Sequence, residues 1–259
     1  MGYITALIVR VALPALLAFA GTVAAEPDPQ VLLEAEQKGE PIHPAFDTDE
    51  FAEEREAMVA EQIEARDISD PDVLGAMGRV PRHRFAPDVA PERAYADSPH
   101  PIGHGQTISQ PYIVAYMTEL LQLEPDDRVL EVGTGSAYQA AVLAEVAGEV
   151  VTIEIIPELA ESAANRLKNL GYTNVTALSG DGYYGYEPKA PYDAIIVTAA
   201  AEHTPPPLVE QLQPGGRMVI PVGRGGWTQN LLLVEKDAEG EVSTRNLMSV
   251  RFVPLTGDH

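Results

Sequence analysis

Short apolar runs alternate with amphipathic segments along the second half of the chain, and this pattern predicts an α/β fold. The predicted strands and helices span residues 128–132, 150–154, 175–178, 194–198 and 217–222 (strands) and 137–147, 157–170 and 207–212 (helices). Strands that alternate with helices favour parallel pairing through right-handed crossovers. We therefore expect a mostly parallel sheet with helices on both faces, a three-layer α/β/α arrangement. Two further runs, 231–235 and 249–253, predict a C-terminal hairpin-like pair.

Helical periodicity precedes this region. Phe51, Met58, Val59 and Ile63 form one apolar stripe among Glu and Arg residues, which is typical of a helix packed on a core. A second short helix is predicted at residues 72–77.

A proline-rich loop is expected between these helices and the α/β region, because four prolines fall within residues 87–101. The loop ends at the sequence Thr-Ile-Ser-Gln-Pro-Tyr, residues 107–112. Ser109 is a suitable N-cap, and Pro111 is tolerated in a first helical turn. We predict a helix from there to Leu123.

The N-terminus has the layout of a secretory signal peptide. An uncharged apolar run at residues 11–25 follows Arg10 and ends in small residues. The run is shorter than the roughly 20 apolar residues of a membrane span. We therefore predict a leader at 1–25 that is cleaved, with export to the periplasm or the medium. An uncleaved anchor and an ordinary soluble N-terminus are the alternatives.

Charge and cysteine content exclude several classes of function. The chain carries 39 acidic and 17 basic side chains and no cysteine. The negative charge disfavours binding to nucleic acids and to anionic membranes, and the lack of thiols excludes disulfides, thiolate metal sites and a cysteine nucleophile. Residues 26–50 are rich in acid and proline, which predicts a solvated linker. The six histidines lack ligand spacing, so we expect no metal site.

The candidate chemistry lies at the ends of the predicted strands. Gly133 and Gly135 follow the first strand, where the absence of a Cβ lets a ligand approach the backbone. Glu131 precedes this turn, Glu154 ends the next strand, and Asp181 follows the third. An acid at the end of the second strand typically binds ribose hydroxyls. The alternative is that these acids only stabilise helix starts.

Three carboxylates favour a ligand that carries cationic groups and no phosphate. S-adenosylmethionine fits, since it has an adenosine, an amino group and a sulfonium. A nicotinamide-dependent oxidoreductase of similar fold is the competing interpretation. It is disfavoured because position 138 is Tyr, whereas the dinucleotide fingerprint has a third glycine there.

Several short motifs lie along residues 51–255. They are Arg-Val-Pro-Arg-His-Arg-Phe (79–85), the 107–111 segment, Glu-Val-Gly-Thr-Gly-Ser (131–136), Thr-Ile-Glu-Ile-Ile-Pro-Glu-Leu (152–159), Gly-Asp-Gly (180–182), Ala-Pro-Tyr-Asp-Ala-Ile-Ile-Val-Thr-Ala-Ala (190–200), Leu-Gln-Pro-Gly-Gly-Arg (212–217) and Pro-Val-Gly (221–223). Together they resemble the motifs of the protein-L-isoaspartate O-methyltransferase family. The first two are distinctive of this family.

This resemblance implies a Rossmann-like S-adenosylmethionine-dependent methyltransferase fold. It implies transfer of a methyl group to the free carboxylate of L-isoaspartyl residues in damaged proteins, with repair through a succinimide. The domain would span 51–259, with a helical and substrate-loop region at 51–123 and a cofactor-binding core at 124–259. A non-catalytic protein that binds S-adenosylmethionine is a further alternative.

Ser109 matches the active-site serine of the family. The nucleophile is a carboxylate that is ionised at neutral pH, so no general base is needed, and we interpret Ser109 as a positioning donor. Together, the strand-end acids and the resemblance give the expected cofactor-binding residues: Gln106, Thr107, Ile108, Ser109, Glu131, Gly133, Gly135, Glu154, Asp181, Gly182 and Thr256.

Ala137 departs from the family, which usually has a glycine there. Its methyl group either packs the helix against the strand or faces the cofactor.

His83, His100 and His104 could contact an anionic substrate, although solvated loop positions explain them as well. We expect a monomer that acts on isoaspartyl proteins, without nucleic acid and without stable membrane association once the leader is removed. A cytoplasmic location, usual for the family, is the alternative to export.

Overall fold

The computed structural model describes residues 51–224 and 228–258. The predicted leader at 1–25 and the predicted linker at 26–50 lie outside the described residues. Within the described ranges, no helix is both long enough and apolar enough to cross a membrane.

The described part of the chain is organised around a seven-stranded sheet. In chain order the strands are β1 (His100–Gly103), β2 (Gln106–Ile108), β3 (Arg128–Val132), β4 (Glu149–Glu154), β5 (Val175–Ser179), β6 (Tyr192–Val197), β7 (Leu212–Val222), β8 (Gln229–Lys236) and β9 (Val242–Val250). The last seven form the sheet, in the order β5-β4-β3-β6-β7-β8-β9. Neighbouring strands from β5 to β7 are parallel, and β8 and β9 are antiparallel additions at the β7 edge.

Successive residues of the central strands face two separate cores. On β3, Val129 joins the larger core, and Leu130 and Val132 join the smaller one on the opposite face. Because both faces are covered, the central strands are continuous apolar runs. The predicted three-layer, mostly parallel α/β/α fold is therefore confirmed.

Helices connect the strands and cover both faces of the sheet. They are α1 (Ala52–Ala57, continued by a π-helix Met58–Ile63 and a 3₁₀ turn Glu64–Arg66), α2 (Pro71–Arg79), α3 (Pro91–Ala94), α4 (Pro111–Leu121), α5 (Tyr138–Ala144), α6 (Pro157–Asn169) and α7 (Pro206–Gln211), with 3₁₀ turns at Arg82–Phe85, Gly182–Tyr184 and Glu187–Lys189. The predicted helices at 72–77, 157–170 and 207–212 match α2, α6 and α7 closely.

The N-terminal helices are part of the larger core. Met58, Ile63 and Met77 are buried there, together with residues of α4 and α5. Asp70 caps α2 by accepting hydrogen bonds from the backbone N–H groups of Asp72 and Val73, the arrangement expected of an N-cap carboxylate ahead of Pro71. The N-terminal helices are therefore packed against the sheet through the larger core.

The prediction that Ser109 caps α4 is wrong. The helix begins at Pro111 after Gln110, and no side chain of its own N-cap residue bonds to it. Instead Asp97, from the preceding loop, accepts a hydrogen bond from the Tyr112 N–H at 3.3 Å. Sequence pattern could not show this, because the capping group lies fifteen residues away from the N–H that it accepts.

Other elements also differ from the predictions. Helix α5 ends at Ala144 instead of residue 147, and β7 begins at Leu212 instead of residue 217. The proline-rich loop contains a small hairpin, β1 (His100–Gly103) with β2 (Gln106–Ile108). Helix α4 ends at Leu121 instead of Leu123, since Gln122 adopts a left-handed φ of 53°. The last strand spans Val242–Val250, earlier than the predicted 249–253, because it extends the sheet by pairing along all of β8.

Ala137 adopts a left-handed conformation just before α5, with φ 70° and ψ 10°. An L-residue with a Cβ is strained there, which explains why a glycine suits the position. The Ala137 methyl group is fully buried in the larger core and does not line the pocket described below. Of the two interpretations given above, packing of the helix is the one that agrees with the structure.

We expect Ala137→Gly to leave both stability and cofactor affinity nearly unchanged. Relief of about 1–2 kcal/mol of left-handed strain is offset by about 0.5–1 kcal/mol of glycine chain entropy and about 0.8 kcal/mol for the lost buried methyl. Denaturant unfolding and calorimetric titration with S-adenosylmethionine check this. Ala140→Gly, inside α5, is the matched control and should cost about 2 kcal/mol. A clear change in cofactor affinity for Ala137→Gly would contradict the packing role.

Candidate active site

A pocket opens at the carboxyl ends of β3, β4 and β6, and encloses about 760 Å³ including its open mouth. Four segments supply most of its lining: residues 106–109, the turn 133–136 after β3, residues 153–156 at the end of β4, and residues 253–256 near the C-terminus. Ligands of open α/β sheets bind at this edge.

The turn after β3 is fixed by β4. The N–H groups of Gly133 and Thr134 donate to the Ile153 carbonyl at 2.8 and 3.3 Å. Gly133 has a φ of 97°, and a Cβ added to it would lie 2.5 Å from the Thr198 hydroxyl oxygen. Glycine is therefore required at this position by both conformation and space.

Glu154 holds the same turn with its side chain. One carboxylate oxygen accepts the Gly135 N–H at 2.8 Å, and the other accepts the Ile156 N–H at 3.0 Å. Each oxygen has a second lone pair, so these bonds orient the carboxylate at the pocket wall and leave it able to accept ligand hydroxyls.

Glu131 lies at the pocket with no exposed surface. The Thr152 hydroxyl donates to one of its oxygens at 2.6 Å, and the Thr134 hydroxyl lies 2.5 Å from that of Thr152. The other oxygen has no hydrogen-bond partner among the described residues. Burial raises the pKa of Glu131 to about 8, opposed by the Thr152 hydrogen bond and assisted by the negative charge of Glu154.

Ser109 lies between β2 and α4, half-buried, and lines the pocket. Its backbone carbonyl accepts a hydrogen bond from Nη2 of Arg82 at 2.7 Å. Its hydroxyl forms no hydrogen bond to the part of the chain that the structure describes. Because Asp97 supplies the helix cap, the Ser109 hydroxyl is available to a ligand.

The C-terminal segment closes one side of the pocket. Ala200, just after β6, donates its N–H to the Val253 carbonyl and accepts the Leu255 N–H, both at 2.8 Å. These two bonds hold Pro254 and place Thr256 in the pocket lining.

The pocket is suited to a cationic ligand that lacks phosphate. Among its lining residues, all of them described, two are glutamates and none is Lys, Arg or His. A pyrophosphate would meet carboxylates here without a compensating cation. The unpartnered oxygen of buried Glu131 calls for a positively charged or hydrogen-donating group, and the residues therefore fit S-adenosylmethionine.

Comparisons with known proteins agree with this chemistry. A family model for protein-L-isoaspartate(D-aspartate) O-methyltransferase matches residues 53–259. The chain belongs to this family. The protein-L-isoaspartate O-methyltransferase 1 of Cupriavidus necator is 60% identical over 203 residues, covering 78% of this chain and 78% of the relative. The corresponding protein of Nitrosospira multiformis is 58% identical over 212 residues, covering 81% and 90%.

Solved structures of this methyltransferase family share the fold. One protein-L-isoaspartate O-methyltransferase superposes with a TM-score of 0.72 at 30% identity, over 79% of this chain and 66% of its own. A Plasmodium falciparum protein, described as a putative protein-L-isoaspartate O-methyltransferase in complex with S-adenosyl-L-homocysteine, gives a TM-score of 0.65 at 26% identity, over 78% and 98%. The resemblance inferred from the motifs is confirmed.

Most of the residues predicted for the methyltransferase site come together. The pocket lining includes Gln106, Thr107, Ile108, Ser109, Glu131, Gly133, Gly135, Glu154, Gly182 and Thr256. Asp181 is not among the lining residues, and its carboxylate accepts the Tyr183 N–H at 3.0 Å. Its part in cofactor binding stays a prediction.

The three histidines lie away from the pocket lining of the methyltransferase. His100 is not a solvated residue: it is buried in β1, and burial lowers its pKa, assisted by the positive charge of Arg82. Nδ1 of His83 lies 2.7 Å from the Tyr95 hydroxyl, whereas His104 is exposed at the hairpin tip. Within the described ranges, no group of three or more potential metal ligands occurs.

Sequence reasoning missed Thr152 and Thr198. Thr152 bonds to Glu131 and Thr134, and the Thr198 hydroxyl donates to the Gly133 carbonyl at 2.5 Å. A polar residue inside the apolar run Val-Val-Thr-Ile at 150–153 was the available signal for Thr152, since a buried hydroxyl needs a partner.

We expect Glu131 to make stability depend on pH. The unfolded chain ionises this carboxyl near 4.5, whereas the folded protein keeps it protonated until about pH 8. Between these two pH values the unfolded state binds fewer protons at Glu131 than the folded state does. The contribution of Glu131 to the free energy of unfolding therefore falls as pH rises, by about 1.4 kcal/mol per pH unit. Glu131→Gln cannot ionise and should lose this dependence.

The measurement is denaturant unfolding of both proteins, without cofactor, across pH 4.5 to 8. Subtracting the two curves removes the contribution of titrating groups that do not interact with Glu131. The variant should gain stability over the wild type as pH increases. Parallel curves would show that Glu131 is ionised in the folded protein throughout this range.

Proposed function

We propose that this chain methylates the free carboxylate of L-isoaspartyl residues in damaged proteins, with S-adenosylmethionine as the methyl donor. The observation that carries the proposal is the Ser109 hydroxyl, which lines a pocket with two glutamates and has no hydrogen-bond partner among the described residues. Membership of the family supports the same reaction. The methyl ester then cyclises to a succinimide, which hydrolyses in part to normal aspartate.

When bound, S-adenosylmethionine supplies an electrophilic methyl group on a cationic sulfur. Glu154 would hold its ribose hydroxyls, because both oxygens of this carboxylate are oriented by backbone N–H groups at the pocket wall. Glu131 and the turn at Gly133 and Gly135 would hold the cationic methionine end. The acidic lining thereby selects this donor over a phosphate-bearing cofactor.

The reaction requires no general base from the protein. A carboxylate with a pKa near 4 is already an anion at neutral pH. Its requirement is alignment with the methyl group, from which most of the rate increase would come. Ser109 donates its hydroxyl hydrogen to one oxygen of the substrate carboxylate, and leaves the other oxygen to attack.

An oxidoreductase function is disfavoured by the pocket itself. A nicotinamide dinucleotide needs donors for its pyrophosphate, yet the described lining contains no cationic side chain. A binding protein without turnover is also disfavoured, since a binding role gives no reason to keep the Ser109 hydroxyl unbonded at the pocket.

The test is transfer of labelled methyl groups to a peptide that contains one L-isoaspartyl residue, compared with its aspartyl twin of the same sequence. We expect labelling of the isoaspartyl peptide alone, and a base-labile ester as the product. Equal labelling of both peptides would contradict the specificity. Absence of labelling, together with tight binding of S-adenosylmethionine in calorimetry, would favour the binding protein.

We further propose that residues 1–25 direct export and are then removed, after which the enzyme acts as a monomer without stable membrane association. The apolar run after Arg10 supports export. N-terminal sequencing of the protein isolated from its own cells should begin near Glu26. A soluble cytosolic product that begins at Met1 or Gly2 would contradict export.

A further inference from the structure

Arg82 is a buried cation whose contacts the proposed reaction does not yet explain. Its side chain has no exposed surface, and within the described part of the chain it forms no ion pair. Its guanidinium lies 4.8 Å from the centre of the Tyr138 ring. Burial lowers the pKa of Arg82, although an arginine keeps its charge at neutral pH. Burying such a charge without a carboxylate is costly.

The hydrogen bonds of Arg82 go to the backbone beside the pocket. Its Nε donates to the Ala94 carbonyl, and its Nη2 donates to the Ser109 carbonyl, both at 2.7 Å. The planar guanidinium therefore links the end of α3 to the residue that carries the available hydroxyl. A rigid fork of donors fixes two acceptors at once.

The other side of Ser109 is held independently. Asp97 accepts hydrogen bonds from the Tyr112 N–H at 3.3 Å and from Nε2 of Gln110 at 3.4 Å. Arg66 orients this carboxylate through an ion pair at 2.6 Å. Ser109 is thus fixed at its own carbonyl by Arg82 and through the following turn by Asp97, and its hydroxyl takes no part in either set of bonds.

We propose that Arg82 is a positioning residue for methyl transfer, which holds the Ser109 carbonyl so that the Ser109 hydroxyl meets the substrate carboxylate in the reactive alignment. This inference rests on the function proposed above. A displacement of about 1 Å in a reacting group can lower a rate by about a hundredfold, so a backbone clamp on Ser109 has a measurable consequence.

A double-mutant cycle on kcat tests the proposal. The four proteins are the wild type, Arg82→Lys, Ser109→Ala and the double variant, assayed with an isoaspartyl peptide and saturating S-adenosylmethionine. Lysine keeps the charge and cannot reproduce the fork. We expect Arg82→Lys to lower kcat by about tenfold when Ser109 is present, and by less than about twofold in the Ser109→Ala background.

Arg55→Lys is the matched control. Arg55 is also buried, and it donates to the Gly78 carbonyl and to the Tyr95 hydroxyl, with no contact to Ser109. We expect Arg55→Lys to change kcat by the same factor in the wild-type background and in the Ser109→Ala background. The dissociation constant of S-adenosylhomocysteine, measured for every variant, establishes that the pocket is folded.

An equal loss of kcat from Arg82→Lys in both backgrounds, or no loss at all, would overturn the proposal. If the lysine variant does not fold, Arg82→Gln replaces it in the same cycle, because it removes the buried charge and keeps an N–H for one carbonyl; the same two outcomes apply. A wild type that does not methylate the peptide contradicts the proposed function, whereas an active wild type with parallel losses contradicts only the role of Arg82.

Discussion

The hydrogen-bond network between the ends of β3 and β4 is the constraint on which the site depends. Backbone N–H groups of the turn after β3 bond to the Ile153 carbonyl and to the Glu154 carboxylate. Thr152 joins Glu131 to Thr134 across the same pair of strands. Since parallel strands present their carboxyl ends at one edge, this network positions backbone and carboxylates together. The cofactor pocket is therefore a direct product of how two adjacent strands pair.

Electrostatics then decides what the pocket can accept. Glu131 and Glu154 are both buried, and the charge of Glu154 helps raise the pKa of Glu131. Burying two carboxylates close together is unfavourable without a cation, and no cationic side chain of the described lining supplies one. A sulfonium and an ammonium relieve this repulsion, whereas a phosphate would increase it. The site is thus prepared for a ligand whose charge complements its own.

Much of the sheet and of the cofactor pocket could be predicted, because the sequence patterns that indicate them are local. Alternating apolar runs gave the sheet, and the glycines and acids at strand ends gave Gly133, Gly135, Glu131 and Glu154. The substrate side was harder to predict, because its contacts join distant segments. Asp97 caps a helix that Ser109 was expected to cap, and Arg82 reaches Ser109 across 27 residues. A propensity rule identifies a residue that can cap a helix, but it cannot show which distant side chain reaches that helix first.

The cofactor side is built from local contacts and the substrate side from long-range contacts, and this difference matters for function. The cofactor end is built from backbone and short side chains of paired strands, so its geometry follows from the sheet. In the proposed mechanism, the substrate end depends on the Ser109 hydroxyl. Two charged side chains hold the backbone around it, Arg82 from a 3₁₀ turn and Asp97 from the loop before β1. An anionic nucleophile that needs no base leaves alignment as the main task of the protein. The capping bond made by Asp97 therefore does more than stabilise α4, because it leaves the Ser109 hydroxyl unbonded for the proposed contact with the substrate carboxylate.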